Sequence, residues 1–293
     1  MKVLYAIDGS APSTQAGELL VKLADPDRVE ITVLSIPPSL TSDAQDPTEL
    51  RERLTEATSD LIDRTADSLG AQGFQVARHV SQGRPGEEIV RLVRNDWFDL
   101  TVMGAANSSW LNDTFLGSTS TYVLHSSPSS VLIVRDGPSA VTPAPVLMAT
   151  DGSPGAALAI ETLGSFLRPD ACHVTAFSVA TDPGPAIDIW PLPRGDVMTD
   201  AEIDAKKKAR FEEAEAVARA AAEALDGEGL KASSKGCIGN PAVEIINEAT
   251  SGAYDMVALG SRGLGPVRRV LLGSVSDQVA RHARATLVAR RIV

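Results

Sequence analysis

A long internal repeat limits what this chain can fold into more than any other feature of its sequence. The segment VLYAIDGSAPS from Val3 matches VLMATDGSPGA from Val146, and two further matched pairs follow in the same order, GRPGEEIVRLV with GNPAVEIINEA and FDLTVMG with YDMVALG. A period this long is typical of duplicated domains and not of a solenoid. The sequence therefore predicts two domains, over residues 1–138 and 144–293, joined by the linker Asp136–Pro145, whose prolines and small residues resist regular structure.

Within each half, strand-like and helix-like segments alternate. Apolar runs such as Val3–Ile7 are continuous, as in strands buried on both faces. Ser10 and Thr48 are candidate N-caps for the two helices that follow in the first half. This alternation indicates right-handed βαβ units, so the expected fold class is α/β, with two repeated doubly wound domains, each a five-stranded parallel sheet. The apolar last strands, Val131–Val134 and Leu287–Val293, are expected to pair with each other or with a neighbouring chain.

The segment from Asp255 to Ser276, DMVALGSRGLGPVRRVLLGSVS, has the pattern of an anion-binding loop. An apolar run ends at Gly260, Gly263 follows, and Gly273 with Ser274 opens a segment of helical character. Glycine allows backbone N–H groups to approach a phosphate, and a helix N-terminus adds free donors and a positive dipole end. Neither the Walker nor the Rossmann spacing is present. The alternative is a tight loop and a helix N-cap without any ligand.

The same part of the chain is basic, whereas the chain as a whole is acidic. Seven arginines, at positions 262, 268, 269, 281, 284, 290 and 291, stand against one acid, Asp277, in a chain of formal net charge −11. This local excess favours a bound counter-charge, and a solvated basic face is the alternative. The acidic balance of the whole chain argues against nucleic acid or an anionic membrane surface as a general partner.

The spacing of the glycines in this loop resembles the G-2x-G-9x-G-[ST] signature of the universal stress protein family, in its ATP-binding branch. The resemblance covers nearly all of both halves and is to the tandem members, which carry two such domains on one chain. It implies the universal stress, or adenine nucleotide alpha hydrolase-like, fold. It also implies an ATP-binding regulatory protein of a stress response, with Mg²⁺ held through the ATP phosphates and with little or no turnover. A homodimer and an unidentified protein partner are expected as well.

The resemblance assigns a nucleotide site to the second half. Asp151 and Val179 match positions that meet the adenosine part in such proteins, while the glycines of the loop match the ribose and phosphate contacts. By their own chemistry, Asp151 could instead be an Asx-turn residue ahead of Gly152, and Val179 could be plain core. The predicted nucleotide-binding residues are Asp151, Val179, Gly260, Arg262, Gly263, Gly273, Ser274 and Val275.

The corresponding site in the first half is predicted to be weaker. Asn107 stands where Gly263 does, and between Gly104 and Val134 there is no lysine or arginine and one acid, Asp113. A triphosphate there would lack the guanidinium partners of charge-assisted hydrogen bonds. The residues of this weaker second site are Asp8, Ile36, Gly104, Asn107, Gly117 and Ser118.

Other chemistry has little support in the sequence. The four histidines and two cysteines are not at metal-ligand spacing, and no nucleophile elbow is present. No apolar run is long enough to span a membrane and the first apolar run is too short for a signal peptide, so a cytoplasmic protein is expected. The insertion between Asp182 and Asp196 is expected to form a flap or a loop. Two alternative functions stay open: a slow ATPase or phosphoryl- or adenylyl-transfer enzyme, and an interaction module that binds no nucleotide.

Overall fold

A computed structural model describes residues 1–37, 47–105, 116–181, 199–261 and 272–290. The predictions for Asn107, Arg262, Gly263 and the insertion at 182–196 therefore lie outside the described residues. The first half alternates strands and helices in the order β1 (Lys2–Ile7), α1 (Ala11–Leu23), β2 (Glu30–Ser35), α2 (Pro47–Ala71), β3 (Gln75–Val80), α3 (Pro85–Asp96), β4 (Leu100–Gly104), α4 (Ser118–Ser126) and β5 (Ser130–Val134). The second half repeats this order with β6 (Ala144–Thr150), α5 (Pro154–Phe166), β7 (Cys172–Ala180), α6 (Asp200–Gly227), β8 (Ala232–Ile238), α7 (Pro241–Ser251), β9 (Met256–Gly260), α8 (Ser274–His282) and β10 (Ala285–Ala289).

All the strands named above belong to one sheet. Its order is β3-β2-β1-β4-β5-β10-β9-β6-β7-β8, and every neighbouring pair within one half is parallel. The predicted fold class, two repeated doubly wound domains with five parallel strands each, is therefore confirmed. The order reverses between β1 and β4 and again between β6 and β9, and in open α/β sheets ligands bind beyond the carboxyl ends of strands at such a reversal.

The two halves join through their last strands. β5 and β10 pair antiparallel, with Val134 opposite Ala285 and Val131 opposite Val288. The predicted pairing of these strands with each other is confirmed, and it removes two exposed strand edges. The carboxyl ends of α1 and α5 also meet, where the Arg168 N–H donates to the Leu23 carbonyl at 2.8 Å. A homodimer stays a prediction, and it would have to use another surface than these strands.

The helices cover both faces of the sheet. Side chains alternate along each strand, so Val3 and Tyr5 pack under α1 and α2 while Leu4 packs under α3 and α4. Ser10 caps α1 as predicted, because its Oγ accepts the Ser13 N–H at 3.3 Å. Within the described ranges, no helix combines the length and the apolar character needed to cross a membrane.

Two details of the predicted fold were wrong. The second helix begins at Pro47, so Thr48 lies inside its first turn and is not its N-cap; proline is favourable at the first helical position because its fixed φ suits a helix. Pro145 lies in β6 and not in an irregular linker. The Pro145 carbonyl accepts the Asp255 N–H at 2.9 Å. Proline has no N–H to donate, but this costs no hydrogen bond between strands, because β9 begins only at Met256.

Candidate functional site

A cavity of about 170 Å³ opens beyond the carboxyl ends of β6, β7 and β9, where the strand order reverses in the second half. Asp151 directly follows β6, Val179 lies next to the end of β7, and Gly260 ends β9; all three line the cavity, together with Val275 of α8. Parallel strands that share one direction end at the same edge of a sheet, which is why residues distant in sequence meet here. The structure thus brings together four of the eight predicted nucleotide-binding residues.

The start of α8 lies at this cavity, and among the described residues no side chain caps it. Gly273 is the N-cap residue and Ser274 the first helical residue, while Val275 and Ser276 line the cavity. The N-cap of α5 contrasts with it, since the Ser153 Oγ accepts a first-turn N–H at 3.3 Å. An uncapped helix N-terminus offers backbone donors and the positive end of the helix dipole to an anion.

Asp151 forms an Asx turn, which was the alternative interpretation of this residue, and it also lines the cavity. One carboxylate oxygen, Oδ1, accepts the Ser153 N–H at 3.0 Å, which is the hydrogen bond of an Asx turn. Gly152 in this turn has φ +73°, a left-handed conformation that favours glycine. Asp151 therefore holds the connection from β6 to α5 at the mouth of the cavity.

Packing explains why residue 260 is a glycine, and the prediction of a phosphate contact did not include this reason. A Cβ at this position would lie 2.5 Å from the carbonyl carbon of Gly155, in the first turn of α5. The end of β9 therefore passes so close to α5 that only glycine fits. Gly104 shows the same crossing in the first half, where a Cβ would lie 2.4 Å from the backbone nitrogen of Ser13. In each half, glycine allows strand and helix to pack without a side chain between them.

Two serines that the sequence analysis missed tie the last helix of each half to this crossing. The Ser276 Oγ donates to the Gly260 carbonyl at 2.9 Å, and the Ser120 Oγ donates to the Gly104 carbonyl at 3.2 Å. The signal was present in the repeat, since both serines stand at the same place in LGSTS and LGSVS. Each bond fixes the helix start against the end of the strand that lines the cavity.

The wall of the second-half cavity is apolar, and the sequence analysis had not assigned these residues to it. They come from β6, β7, α7 and β9, and all four are buried: Ala149, Phe177, Ile245 and Leu259. Pro241 also lines the cavity, and its counterpart Pro85 lines the cavity of the first half. The sequence signal for these two prolines was the repeated G-x-P motif, which ends in Pro85 in the first half and in Pro241 in the second. An apolar slot of this kind is a common feature of small-molecule sites.

Arg281 forms an ion pair with Asp277 on the same helix. Its guanidinium donates to both carboxylate oxygens, at 2.9 and 3.1 Å, and the His125 ring of the first half lies 3.3 Å from the same carboxylate. Burial acts to raise the pKa of Asp277, but the hydrogen bonds and charge of Arg281, with a smaller contribution from His125, lower it below its usual value. Arg281 thus neutralises the one acid counted in the basic segment.

Arg284 and Arg290 also make structural contacts with the first half. The Arg284 guanidinium donates to the Gly137 carbonyl at 2.7 Å, and the Arg290 guanidinium donates to the Ser127 carbonyl at 2.8 Å, just past the end of α4. For Arg281, Arg284 and Arg290, the interpretation of the arginine excess as a counter-charge for a ligand was therefore wrong. The other four arginines of the segment lie outside the described residues.

The first half contains an equivalent cavity, of about 160 Å³. The structure brings four of the six residues predicted for the weaker site to its lining, namely Asp8, Ile36, Gly104 and Ser118. Gly117 precedes α4 as its N-cap with φ +55°, whereas Gly273 has φ −66°. The start of α4 therefore requires glycine for its backbone conformation, and the start of α8 does not.

Comparisons with known proteins agree with this duplicated architecture. The sequence model of the Universal stress protein family matches residues 1–135 and 144–290. Universal stress protein YxiE of Bacillus subtilis is 29% identical over 145 residues, 46% of this chain and 98% of that protein. Universal stress protein MJ0577 of Methanocaldococcus jannaschii is 31% identical over 87 residues, 30% of this chain and 54% of that protein. The crystal structure of a universal stress protein from Archaeoglobus fulgidus superposes with a TM-score of 0.65 at 23% identity and covers 99% of this chain and 96% of that one, which shows the fold.

The fold and the paired cavities define a tandem, doubly wound α/β protein of the adenine nucleotide alpha hydrolase-like type. Because the family model matches both halves, the chain belongs to the universal stress protein family, as a member with two such domains.

Proposed function

We propose that the second half of this chain binds ATP and that ATP binding regulates the protein in a stress response. The observation that carries this proposal is the convergence on one cavity of an apolar slot, Asp151 and the start of α8, which no described side chain caps. The slot suits the adenine ring, and the start of α8 suits the phosphates. The loop that carries the glycine signature and Arg262 lies partly outside the described residues. This loop is expected to hold the triphosphate.

The size of the cavity supports partial burial of the nucleotide. Its volume of about 170 Å³ is well below the roughly 300–1,000 Å³ of pockets that enclose a drug-sized ligand. In this proposal the base enters the cavity, while the ribose and phosphates lie outside it, towards the start of α8. In this proposal Mg²⁺ is held through the ATP phosphates.

Little or no turnover of ATP is part of the same proposal. Of the described residues that line the cavity, Asp151 is the one titratable side chain, and one of its oxygens holds the Asx turn. General acid–base catalysis needs a group placed to take or give a proton, and a phosphoryl transfer enzyme needs dedicated metal carboxylates. ATP then acts through conformation or through the choice of an as yet unidentified protein partner.

The two halves are proposed to differ in affinity. Their cavities share size and lining positions, so the difference rests on the loops, where the first half has Asn107 and no cation. Each charge-assisted hydrogen bond that is missing costs about 1.5 to 3 kcal/mol of binding free energy. One or two such losses weaken ATP binding by roughly tenfold to twenty-thousandfold.

Purified protein is expected to release ATP on denaturation and to release almost no phosphate during incubation with ATP and Mg²⁺. Mass spectrometry of the released nucleotide and a phosphate-release assay measure the two quantities. Rapid phosphate release that Val179→Trp abolishes would favour the ATPase alternative. Failure to bind any adenine nucleotide, either on purification or in a titration, would favour the interaction module.

A further inference from the structure

The two outermost strands of the sheet, β3 and β8, differ in the groups that surround their outer edges. At β8, two acids of α6 accept N–H groups of the strand. The Glu215 Oε1 accepts the Gly236 N–H at 2.7 Å, and the Asp226 Oδ1 accepts the Ala232 N–H at 3.2 Å. Side chains of α6 therefore close this edge against the addition of another strand.

The first half has no acids at the corresponding positions. The repeat places Ser59 and Gly70 of α2 where Glu215 and Asp226 stand in α6. Helix α6 also packs tightly on β8, since a Cβ at Gly236 would lie 2.8 Å from the Glu215 nitrogen. At the position of that glycine, β3 has a valine, Val80, whose side chain is 45% exposed. The closure seen at β8 is thus absent at β3.

Strand β3 presents unoccupied backbone groups at its outer edge. The Ser81 N–H donates to the Ser35 carbonyl of β2 at 3.2 Å. Because N–H groups alternate in direction along a strand, those of Val76, Arg78 and Val80 point away from β2. None of the described residues accepts any of these three N–H groups. The β3 edge can therefore pair with a further strand.

The Arg78 side chain does not cover this edge. Its guanidinium donates to Asp63 at 2.8 Å and to Asp67 at 2.6 Å, and both acids belong to α2. A charged side chain is a common protection of an exposed strand edge, but this one is held along the helix. Two carboxylates share one guanidinium, so this side of the edge keeps a negative charge.

A groove of about 350 Å³ lies on the other face of the sheet, next to the start of β3. Gln75 and Ala77 of β3 line it, together with Phe98. An added strand would project alternate side chains towards this groove and towards α2. The charged residues around the edge are four acids and two cations, namely Glu30, Asp63, Asp67, Asp96, Lys2 and Arg78. This excess of acids favours a basic partner.

We propose that the β3 edge binds an extended, basic segment of a partner protein, which adds to the sheet as one further strand. In this mode of recognition, backbone hydrogen bonds to Val76, Arg78 and Val80 provide affinity. Alternate side chains of the segment provide specificity, because its lysines or arginines meet the acids beside the edge. The contact lies at the outer edge of the sheet and does not rest on the proposed ATP site.

A pair of short labelled peptides tests the chemistry of the partner. The probe contains threonine, valine and lysine, and the control peptide has glutamate in place of each lysine. In fluorescence anisotropy without ATP, the lysine peptide is expected to bind at least about tenfold more tightly. Equal affinity of the two peptides would contradict the proposal of a basic segment. A chain of net charge −11 attracts cations in general, so the position of binding is tested separately.

Two variants of Val80 test the position. Val80→Pro removes one outward N–H, and proline is accepted in an edge strand where the N–H faces solvent. Val80→Thr keeps this N–H and is the matched control. The lysine peptide is expected to bind Val80→Thr like the intact chain and Val80→Pro at least about tenfold more weakly. Urea unfolding checks that both variants are folded. Undiminished binding to a folded Val80→Pro protein would overturn the proposal.

Amide hydrogen exchange tests the same edge in the intact chain. The N–H groups of Val76, Arg78 and Val80 are expected to exchange faster than those of Ala232 and Gly236, which the α6 acids bind. Saturating lysine peptide is expected to slow exchange at the three β3 positions at least about tenfold and to leave the two β8 positions unchanged. Unchanged exchange at β3 would contradict strand addition. A dimer of the intact chain that Val80→Pro dissociates would assign the edge to a second copy, and that result would also overturn the proposal.

Discussion

Lys22→Met is expected to lower the free energy of unfolding by about 3 kcal/mol, because it leaves a buried carboxylate without its cation. The Lys22 Nζ lies 2.6 Å from the Asp255 Oδ2, and the Asp255 side chain is 0% exposed. Loss of one partner of a buried pair costs about 3 to 5 kcal/mol, and the 17% exposure of Lys22 favours the lower end of that range. Lys22 belongs to α1 and Asp255 precedes β9, so the variant weakens the contact between the halves. Urea unfolding followed by circular dichroism measures the loss.

The repeat explains why Asp255 forms an ion pair with the other half, whereas its counterpart Asp99 bonds within its own half. In the first half, the Asp99 carboxylate accepts the Lys2 N–H at 2.8 Å. Proline occupies the matching position in the second half, at Pro145, and it has no N–H to donate. Asp255 accepts instead from Lys22 and, at 2.6 Å, from the Ser139 N–H of the linker. A single difference between the halves thus replaces a local hydrogen bond with one that joins the two domains.

Two further variants control this prediction. Arg210 and Glu213 form a pair of similar length, 2.7 Å, but their side chains are 54% and 59% exposed, so Arg210→Met is expected to cost less than about 1 kcal/mol. Combining Lys22→Met with Asp255→Asn removes the uncompensated charge and is expected to recover part of the stability. A Lys22→Met protein as stable as the Arg210→Met protein would contradict the account of a buried pair.

Gly260→Ala is expected to weaken ATP binding at least about tenfold. The new Cβ would lie 2.5 Å from the carbonyl carbon of Gly155 and 2.6 Å from its oxygen, so β9 and α5 must move apart. Overpacking of this kind costs about 1 to 3 kcal/mol of stability. The movement also displaces Asp151 and the Gly260 carbonyl that Ser276 holds, both at the edge of the cavity. Titration calorimetry and urea unfolding measure the two effects.

Gly104→Ala is the matched control for this variant. Its Cβ would lie 2.4 Å from the Ser13 nitrogen, so a similar loss of stability is expected from the same crossing in the first half. ATP affinity is expected to stay unchanged, because the proposed site lies in the other half. If Gly104→Ala weakened ATP binding as much as Gly260→Ala, the assignment of the site to the second half would be wrong.

Much of the fold could be predicted from the repeat and from the apolar periodicity. Val3–Ile7 was predicted as a strand because it is continuously apolar, and the pairing of the last strands followed from their apolar edges. The meeting of Asp151, Val179 and Gly260 could also be predicted, since residues at the carboxyl ends of parallel strands share one edge of the sheet. These inferences use only the order and type of elements, which the sequence pattern carries.

The remaining features depend on side-chain contacts that no local pattern reveals. Arg284 and Arg290 looked like part of an anion site, but their partners, Gly137 and Ser127, are far away in the sequence. The reason for Gly260 is the backbone of Gly155, which comes close only once α5 packs on the sheet. Tertiary packing decides how deeply a side chain is buried, how closely two backbones approach and which partner a charged group finds. The sequence analysis failed on these features.

The central claim, that the chain binds ATP in its second half, is tested most directly by titration calorimetry with ATP and Mg²⁺ on three proteins. Val179 and Ile36 occupy equivalent, half-buried positions that line the two cavities, so Val179→Trp and Ile36→Trp each fill one slot without changing the phosphate loop. The intact chain is expected to show one tight site, which Ile36→Trp retains and Val179→Trp loses by at least about a hundredfold in affinity. Two equally tight sites in the intact chain, or binding that survives Val179→Trp and disappears in Ile36→Trp, would contradict the account.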